Sequence, residues 1–538
     1  MVKFKLKFGA EEALFIAICA VVAVVLFSSF SMFERPNGPL IGGDVYQALG
    51  IVNYLNNGNS PFYDSAYRNT YAWYPWLWHY MVVFIHIITG FDFFRILVWL
   101  PLFLTIAFLY SYYRLGKALF GEFAGVLTAF FALFFTSPGT DSLVPVPVNL
   151  SYVILPWVLY FMYKYSTGKR QRDGICAGIS LGLLGLTHVH TYVAAWLMMF
   201  VLSFLLVAFA SFSRKPALRI PIERLKQIGL VLAIGFIISM LFWGPLIAKY
   251  HLVPTRSIES TLGFEGGSPP VFTKDLWGST FGQGAFFVLG LLGAYSMYKS
   301  RRPQDIIGLA FLLSAYAGIF HFYVTYPLLG ILFQPHKFYF VLGVGLSIAA
   351  AVGVKLVADA LVERKIISQD KVVFVVLLFM LLLAPLGPMK YKENAFKDEW
   401  SAAEPVPPIF KDTADWISEN TPKDAIIAAN PLTAFMINAL TGRGVVANEM
   451  GHSSPYSELE RLTAEVNTIY MSTDEAEAYA LLKENGAQYL VINIYELQYY
   501  AQSGGLDKFF NSPHYKPVAV FEYGEGDNSL VTAVLEVF

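Results

Sequence analysis

The chain has 538 residues, of which 56% are hydrophobic and only 14% charged, and its mean hydropathy is +0.52. Soluble domains carry roughly 25% charged residues, so this composition excludes an ordinary soluble enzyme and places most of the chain in lipid. The near balance of 38 basic and 39 acidic residues gives no basic field for a nucleic-acid partner, and two cysteines exclude a disulfide scaffold.

The first apolar run, 13 to 32, follows Lys3, Lys5 and Lys7, has no small-residue cleavage site and leads into further apolar runs, so it reads as an anchor that stays. The loop after it reads IGGDVYQALGIVNYLNNGNSPFYD. Two glycines deliver Asp44 just ahead of an amphipathic stretch that would lie on the membrane. A carboxylate held there can take a proton from a hydroxyl acceptor and lower the barrier to its attack on a sugar carbon. Asp before a helix is also a common N-cap, and the loop alone does not separate the two roles.

Residues 71 to 90, YAWYPWLWHYMVVFIHIITG, are apolar enough to cross. Crossing would move every later basic loop to the outside, and the aromatic residues are of the kind that settle at the headgroup boundary. The segment is expected to lie in, or dip into, the outer interface.

Further apolar runs of about the length needed to cross occupy 93 to 112, 118 to 137, 147 to 163, 174 to 188, 191 to 210, 227 to 247, 281 to 298, 306 to 322, 338 to 356 and 371 to 388, which makes eleven spans. With the N-terminus cytosolic, more than half of the 38 basic residues fall in cytosolic segments, as the positive-inside rule requires. Cys19 and Cys176 fall inside spans.

This threading collects polar residues at the outer ends of the helices. The second outer loop, SPGTDSLVPVPVNLSYVILP, brings Asp141 to the same surface as Asp44, in a frame stiffened by prolines; alone, Asp141 is also an ordinary turn or cap residue. LTHVHTY, residues 186 to 192, is the tip between two tightly joined spans and forces His188 and His190 to the outer face. The pair can ligate a metal, hydrogen-bond a phosphate or satisfy helix-end groups. In FQPHKFYF, residues 333 to 340, His336 and Lys337 sit where the chain re-enters the membrane; a lysine there holds an anionic lipid headgroup or snorkels to ordinary ones.

After Pro388 the chain turns polar and acidic, and 389 to 538 reads as a soluble α/β domain on the outer face, following a membrane domain of 1 to 388. Its pattern predicts helices at 409 to 419, 432 to 440, 457 to 469 and 474 to 485, strands at 425 to 429, 445 to 446 and 489 to 494, and a closing hairpin from 516 to 523 and 529 to 537. The fold class is therefore mainly α: a polytopic helical bundle with a C-terminal extracytoplasmic α/β domain.

The run GGDVYQALGIVNYLNNGNSPFYD followed by YPWLWH resembles the first outer loop of the GT-C superfamily of polytopic glycosyltransferases. The order of parts is also similar: first span, carboxylate loop with a membrane-surface helix, two spans joined by the basic turn YRLGKALFG, second carboxylate loop, many spans, then an outer domain. LTHVHT and the His-Lys-Phe re-entry resemble segments of archaeal and bacterial membrane glycosyltransferases, and NTPKDAIIAANP with LTGRGVVANE looks like the start of their C-terminal domain.

The resemblance implies transfer of a sugar from a polyprenyl-phosphate-linked donor to a lipid, glycan or protein acceptor on the non-cytosolic face. By it, Asp44 is the base, Asp141 a second carboxylate orienting donor or acceptor, and His188, His190, His336 and Lys337 bind the donor phosphate, all around one cavity. It implies a multi-pass protein of the plasma membrane in a prokaryote and no cofactor. The oligosaccharyltransferase branch pairs acids as Asp-x-Asp, whereas GTDSL has one, so a divalent metal is not implied. Two other classes stay in view. A transporter would place ionisable residues inside spans and show repeated halves, which this chain does not; a non-catalytic lipid-binding scaffold of the same shape would share all these motifs.

Overall fold

In lipid the backbone satisfies its polar groups only within a helix or a closed barrel, and the apolar runs of this chain fold as helices. The structure, a computed structural model, describes residues 9–67, 70–135, 144–211, 222–251, 283–321, 338–386, 389, 402–523 and 530–538. Along the first part of the chain lie α1 (Ala10–Phe30), α2 (Asp44–Asn56), α3 (Leu77–Thr89), α4 (Phe93–Phe120), α5 (Glu122–Phe135), α6 (Pro147–Gly168), α7 (Gln171–Gly185), α8 (Val189–Ser211), α9 (Ile222–Tyr250), α10 (Gln283–Ser300), α11 (Pro303–Phe320), α12 (Tyr339–Glu363) and α13 (Gln369–Leu383). The described residues of each expected apolar run lie mainly on one of these helices, that of 118 to 137 beginning at the end of α4 and continuing on α5. Six among the described residues are long and apolar enough to cross a membrane: α1, α4, α8, α9, α11 and α12. Helices α3, α5, α7 and α13 have 13, 14, 15 and 15 residues and measure about 20–23 Å at 1.5 Å per residue, each short of a ~30 Å hydrocarbon core.

The basic segment between α4 and α5 differs from the turn expected there. Arg114 and Lys117 are still helical, within α4, and Lys117 Nζ bridges Glu12 Oε1 at 2.9 Å and Glu122 Oε1 at 2.8 Å. The reversal is made by Gly121 alone, at φ +93°, where a side chain would be strained.

The chain divides into two compact units. The first comprises Met1–Met32, Trp99–Leu241 and Ser268–Ala395; the second Phe33–Val98, Phe242–Gly267 and Phe396–Phe538. Small residues set the helix packing of the first, as expected where lipid removes the hydrophobic drive between helices. A Cβ added to Gly293 of α10 would overlap the Ala349 carbonyl of α12, and one at Gly353 of α12 the Leu289 carbonyl of α10. On α7, Gly178 lets Ile234 of α9 approach so closely that a methyl there would sit 2.6 Å from its Cβ.

The second unit contains α14 (Pro408–Asn420), β1 (Ile426–Ala428), α15 (Pro431–Thr441), β2 (Gly444–Val445), α16 (Leu459–Met471), α17 (Glu475–Glu484), β3 (Tyr489–Ile492), α18 (Ile494–Tyr500), β4 (Tyr515–Tyr523) and β5 (Leu530–Val537). The strands form one sheet in the order β2-β1-β3-β5-β4. Strand β1 runs parallel to β2 and β3, and β5 runs antiparallel to β3 and β4. Strand β3 ends at Ile492, earlier than its apolar run suggests, because Asn493 caps α18 and Glu496 returns a bond to the Asn493 N–H.

The first loop belongs to this unit's core: Ala66 and Tyr67 are buried with Ile417, Ile427, Val445 and Leu490. Its backbone is tied in as well. Val445 N–H donates to Ala66 O at 3.0 Å, Asn438 Nδ2 to Ser65 O at 2.9 Å, and Asn448 N–H to Tyr67 Oη at 2.9 Å. Helix α2 lies on α15, where Asn53 Nδ2 donates to Ala439 O at 2.9 Å and Asn57 Nδ2 to Thr441 O at 3.0 Å. Gly50 admits that approach, since a Cβ there would stand 2.7 Å from Asn438 Oδ1.

Candidate functional site

Asp44 is the first residue of α2, not its cap. The N-cap is Gly43, which has no side chain to offer, and no side chain caps this helix. A carboxylate in the first turn lies where the helix dipole favours negative charge. Gly42 is in the left-handed region at φ +67°, so the GG pair supplies the bend that starts the helix at the aspartate.

The Asp44 carboxylate meets the second half of its own unit. His452 Nε2 lies 3.1 Å from Asp44 Oδ1, and His452 Nδ1 lies 2.9 Å from Glu449 Oε2. Glu449 directly precedes the one-turn 3₁₀ helix Met450–His452 that carries the imidazole. The surroundings hold that turn still. Gln47 Nε2 of α2 donates to His452 O at 3.3 Å, Ser453 Oγ donates to Glu449 O at 2.8 Å, and the Phe435 ring of α15 packs 5.4 Å from the imidazole. Tyr67 Oη in turn hydrogen-bonds Ser453 Oγ at 2.9 Å.

Burial on its own would discharge His452, yet the hydrogen bonds and charges of Asp44 and Glu449 outweigh it and raise the imidazole to about 9. It is therefore an imidazolium at neutral pH, donating from both nitrogens. Burial opposes ionisation of Glu449 too, but its bond to His452 and the N–H groups of Gly451 and His452 hold it below the usual carboxylate range. Of the three side chains, His452 is 11% exposed, Glu449 24% and Asp44 65%: a buried cation holds an outward-facing carboxylate. Tyr74 faces Asp44, and burial together with that negative charge keeps its phenol protonated.

Next to His452 opens a small cleft lined by Gln47, Asp64, Trp73, Tyr74, Asn438 and Asn448, with an interior of about 20 Å³, the size for one water. Burial pushes the Asp64 carboxyl up to about 6, even though Oδ1 accepts the N–H groups of Ala66 and Tyr67 at 2.8 and 3.1 Å.

In the first unit, His188 and His190 stand together at the turn from α7 to α8, with ring centroids 5.5 Å apart. His188 is buried, with Nδ1 3.0 Å from Thr191 Oγ1, and Thr191 Oγ1 is 2.8 Å from Ser151 Oγ of α6. Asp141, His336 and Lys337 lie outside the described residues. Among the described residues no group of three His, Cys, Asp or Glu side chains is arranged to hold a metal. Around His452 the reason is visible: the two carboxylates take opposite nitrogens of one ring and do not converge.

His452 and Glu449 were not singled out from the sequence. Their i, i+3 spacing in NEMGH is a weak local signal, and Asp44 lies 408 residues away.

The chain belongs to a family of unknown function, DUF6541, whose profile matches residues 8–527. No curated protein matches it by sequence. Solved structures do match by fold. The archaeal oligosaccharyltransferase AglB from Archaeoglobus fulgidus, in complex with an inhibitory peptide and a dolichol-phosphate, is 14% identical with a TM-score of 0.58, over 96% of this chain and 75% of that one. ArnT from Cupriavidus metallidurans bound to undecaprenyl phosphate is 12% identical with a TM-score of 0.58, over 96% of this chain and 97% of that one. The arabinofuranosyltransferase AftD from mycobacteria is 15% identical with a TM-score of 0.50, over 96% of this chain and 41% of that one. The fold is that of the GT-C glycosyltransferases.

Proposed function

We propose that this member of DUF6541 is an integral-membrane glycosyltransferase that moves a sugar from a polyprenyl-phosphate-linked donor to a lipid, glycan or protein acceptor on the non-cytosolic face. In this reading eleven spans cross the plasma membrane from a cytosolic N-terminus, and the domain 389 to 538 lies outside. The acceptor hydroxyl oxygen attacks the anomeric carbon, the bond from that carbon to the phosphate oxygen breaks, the polyprenyl phosphate leaves, and Asp44 takes the hydroxyl proton. Asp141 orients donor or acceptor, and His188, His190, His336 and Lys337 bind the phosphate.

One observation carries the reading: Asp44 is an exposed carboxylate at a helix start, held from behind by a buried cation, in a chain with the GT-C fold. The dolichol-phosphate and undecaprenyl phosphate in the named structures of AglB and ArnT support a lipid-phosphate donor. The test is transfer by purified protein in lipid nanodiscs with a panel of polyprenyl-phosphate sugars. Asp44→Asn keeps the size of the side chain and removes its charge, so transfer falls ~10²-fold or more with donor binding retained. Lys337→Ala weakens donor binding instead. Turnover of Asp44→Asn at the wild-type rate would remove Asp44 as base; donor binding with no transfer by the wild type would favour a scaffold. Externally applied thiol reagents should reach cysteine introduced at Asn57 but not at Ser166, and the reverse pattern would overturn the orientation.

A further inference from the structure

We infer that His452, fixed by Glu449, is a positioning residue for Asp44: a buried imidazole whose Nε2–H holds one carboxylate oxygen and thereby sets the direction in which Asp44 meets the acceptor hydroxyl. The inference rests on the transferase reading and adds two residues to it. A lone carboxylate at a helix start rotates about χ1 and χ2, and a base is effective only when its oxygen comes within about 3 Å of the proton it removes. Here the Nε2–H donor 3.1 Å from Asp44 Oδ1 limits that rotation.

The donor is itself well held. Glu449 takes the other nitrogen at 2.9 Å, Gln47 of α2 donates to the His452 carbonyl at 3.3 Å, and the Phe435 ring of α15 packs 5.4 Å away, tilted by 55°. The ring has no acceptor left while both nitrogens are protonated, so His452 is no second base and no proton relay. Among the described residues, the titratable groups in contact with it are Asp44 from α2 and Glu449 from its own turn; Gln47 and Phe435 are uncharged. Burial makes the arrangement consequential. A cation that is 11% exposed costs more to leave unpaired than one in water, so its pull on Asp44 is strong and directional.

The experiment is steady-state transfer by the full chain in nanodiscs across pH 5 to 10, with selective ¹⁵N-histidine NMR of the same samples. His452→Ala should lower kcat by about 10- to 100-fold, the usual effect of losing a residue that orients a reacting group, with KM for the donor lipid within about twofold. His452→Gln, which keeps an amide donor without charge, should recover part of the loss. Glu449→Gln should move the alkaline limb of the kcat profile to lower pH and lower the midpoint of the His452 ring signal, and Asp44→Asn should lower that midpoint as well. An active wild type with His452→Ala and His452→Gln at its kcat and with its pH profile would overturn the inference and leave Asp44 as base. A His452 ring that titrates near the ordinary ~6.5 would overturn it too. A wild type inactive with every donor and acceptor would count against the transferase reading, and with it the role in transfer, while the NMR midpoints would still decide whether the clamp exists.

Discussion

His188 and His452 are nearly equally hidden, one 6% exposed as a residue and the other 11% at its side chain, yet they are built for different work. His188 Nδ1 lies beside Thr191 Oγ1, which in turn meets Ser151 Oγ, and each of these hydroxyls can donate or accept. His452 stands between two carboxylates and is locked as a donor at both ends. The difference lies in the partners and not in the depth: one imidazole meets a hydroxyl that can donate or accept, the other meets two carboxylates that accept.

The largest effect that would break this contrast is the removal of the cation. His452→Ala leaves Asp44 and Glu449 with no charge between them and should cost roughly 3 kcal/mol of stability at pH 7, read by denaturant unfolding in nanodiscs. A loss no larger than an exposed substitution gives, about 0.5 kcal/mol, would mean that the ring is not charged there.

The next effect is in the pH dependence. The folded imidazole titrates at about 9, above an unfolded value near 6.5, so its contribution is complete below about 6.5 and is lost as pH rises through 9. Allowing for the exposure of Asp44, wild-type stability should fall by roughly 2 kcal/mol across that window, and His452→Gln should abolish the slope.

The smallest effect is at the hydroxyl line. His188→Gln keeps a group able to bond Thr191 and should cost about 1 kcal/mol or less, with Thr191→Val similar, both read by denaturant unfolding in nanodiscs. A loss at Thr191→Val as large as that at His452→Ala would erase the contrast.

The helices were legible because hydropathy is a local property, and the described residues of the expected runs are mostly helical, six of the helices being long and apolar enough to cross a membrane. The C-terminal elements were legible for the same reason: 409 to 419 became Pro408–Asn420, with Pro at its start, and 516 to 523 with 529 to 537 became the pair β4 and β5. The helix start at Asp44 was legible through the two glycines before it. What could not be read was tertiary. Nothing near Tyr67 announces that its ring lies in the core with Leu490, and nothing near Asp44 announces His452, because the pairing has no period and no fixed spacing. The expected basic turn YRLGKALFG narrows to its last residue, Gly121, since Arg114 and Lys117 before it are helical.

The tie between Tyr67 and Asn448 has a consequence in time. The two residues are 381 positions apart, and a ribosome adding ~5–20 residues per second needs roughly 20–80 s to pass from one to the other. Throughout that interval the first loop exists without the strands and helix that bury it. Ala66 and Tyr67 are then apolar surface awaiting a partner still being synthesised, and α2 has no α15 to lie on. Biogenesis of this chain therefore includes a long stage at which the segment bearing Asp44 is made but unassembled, and a truncation anywhere before residue 445 would fix it in that stage, a substrate for quality-control proteases.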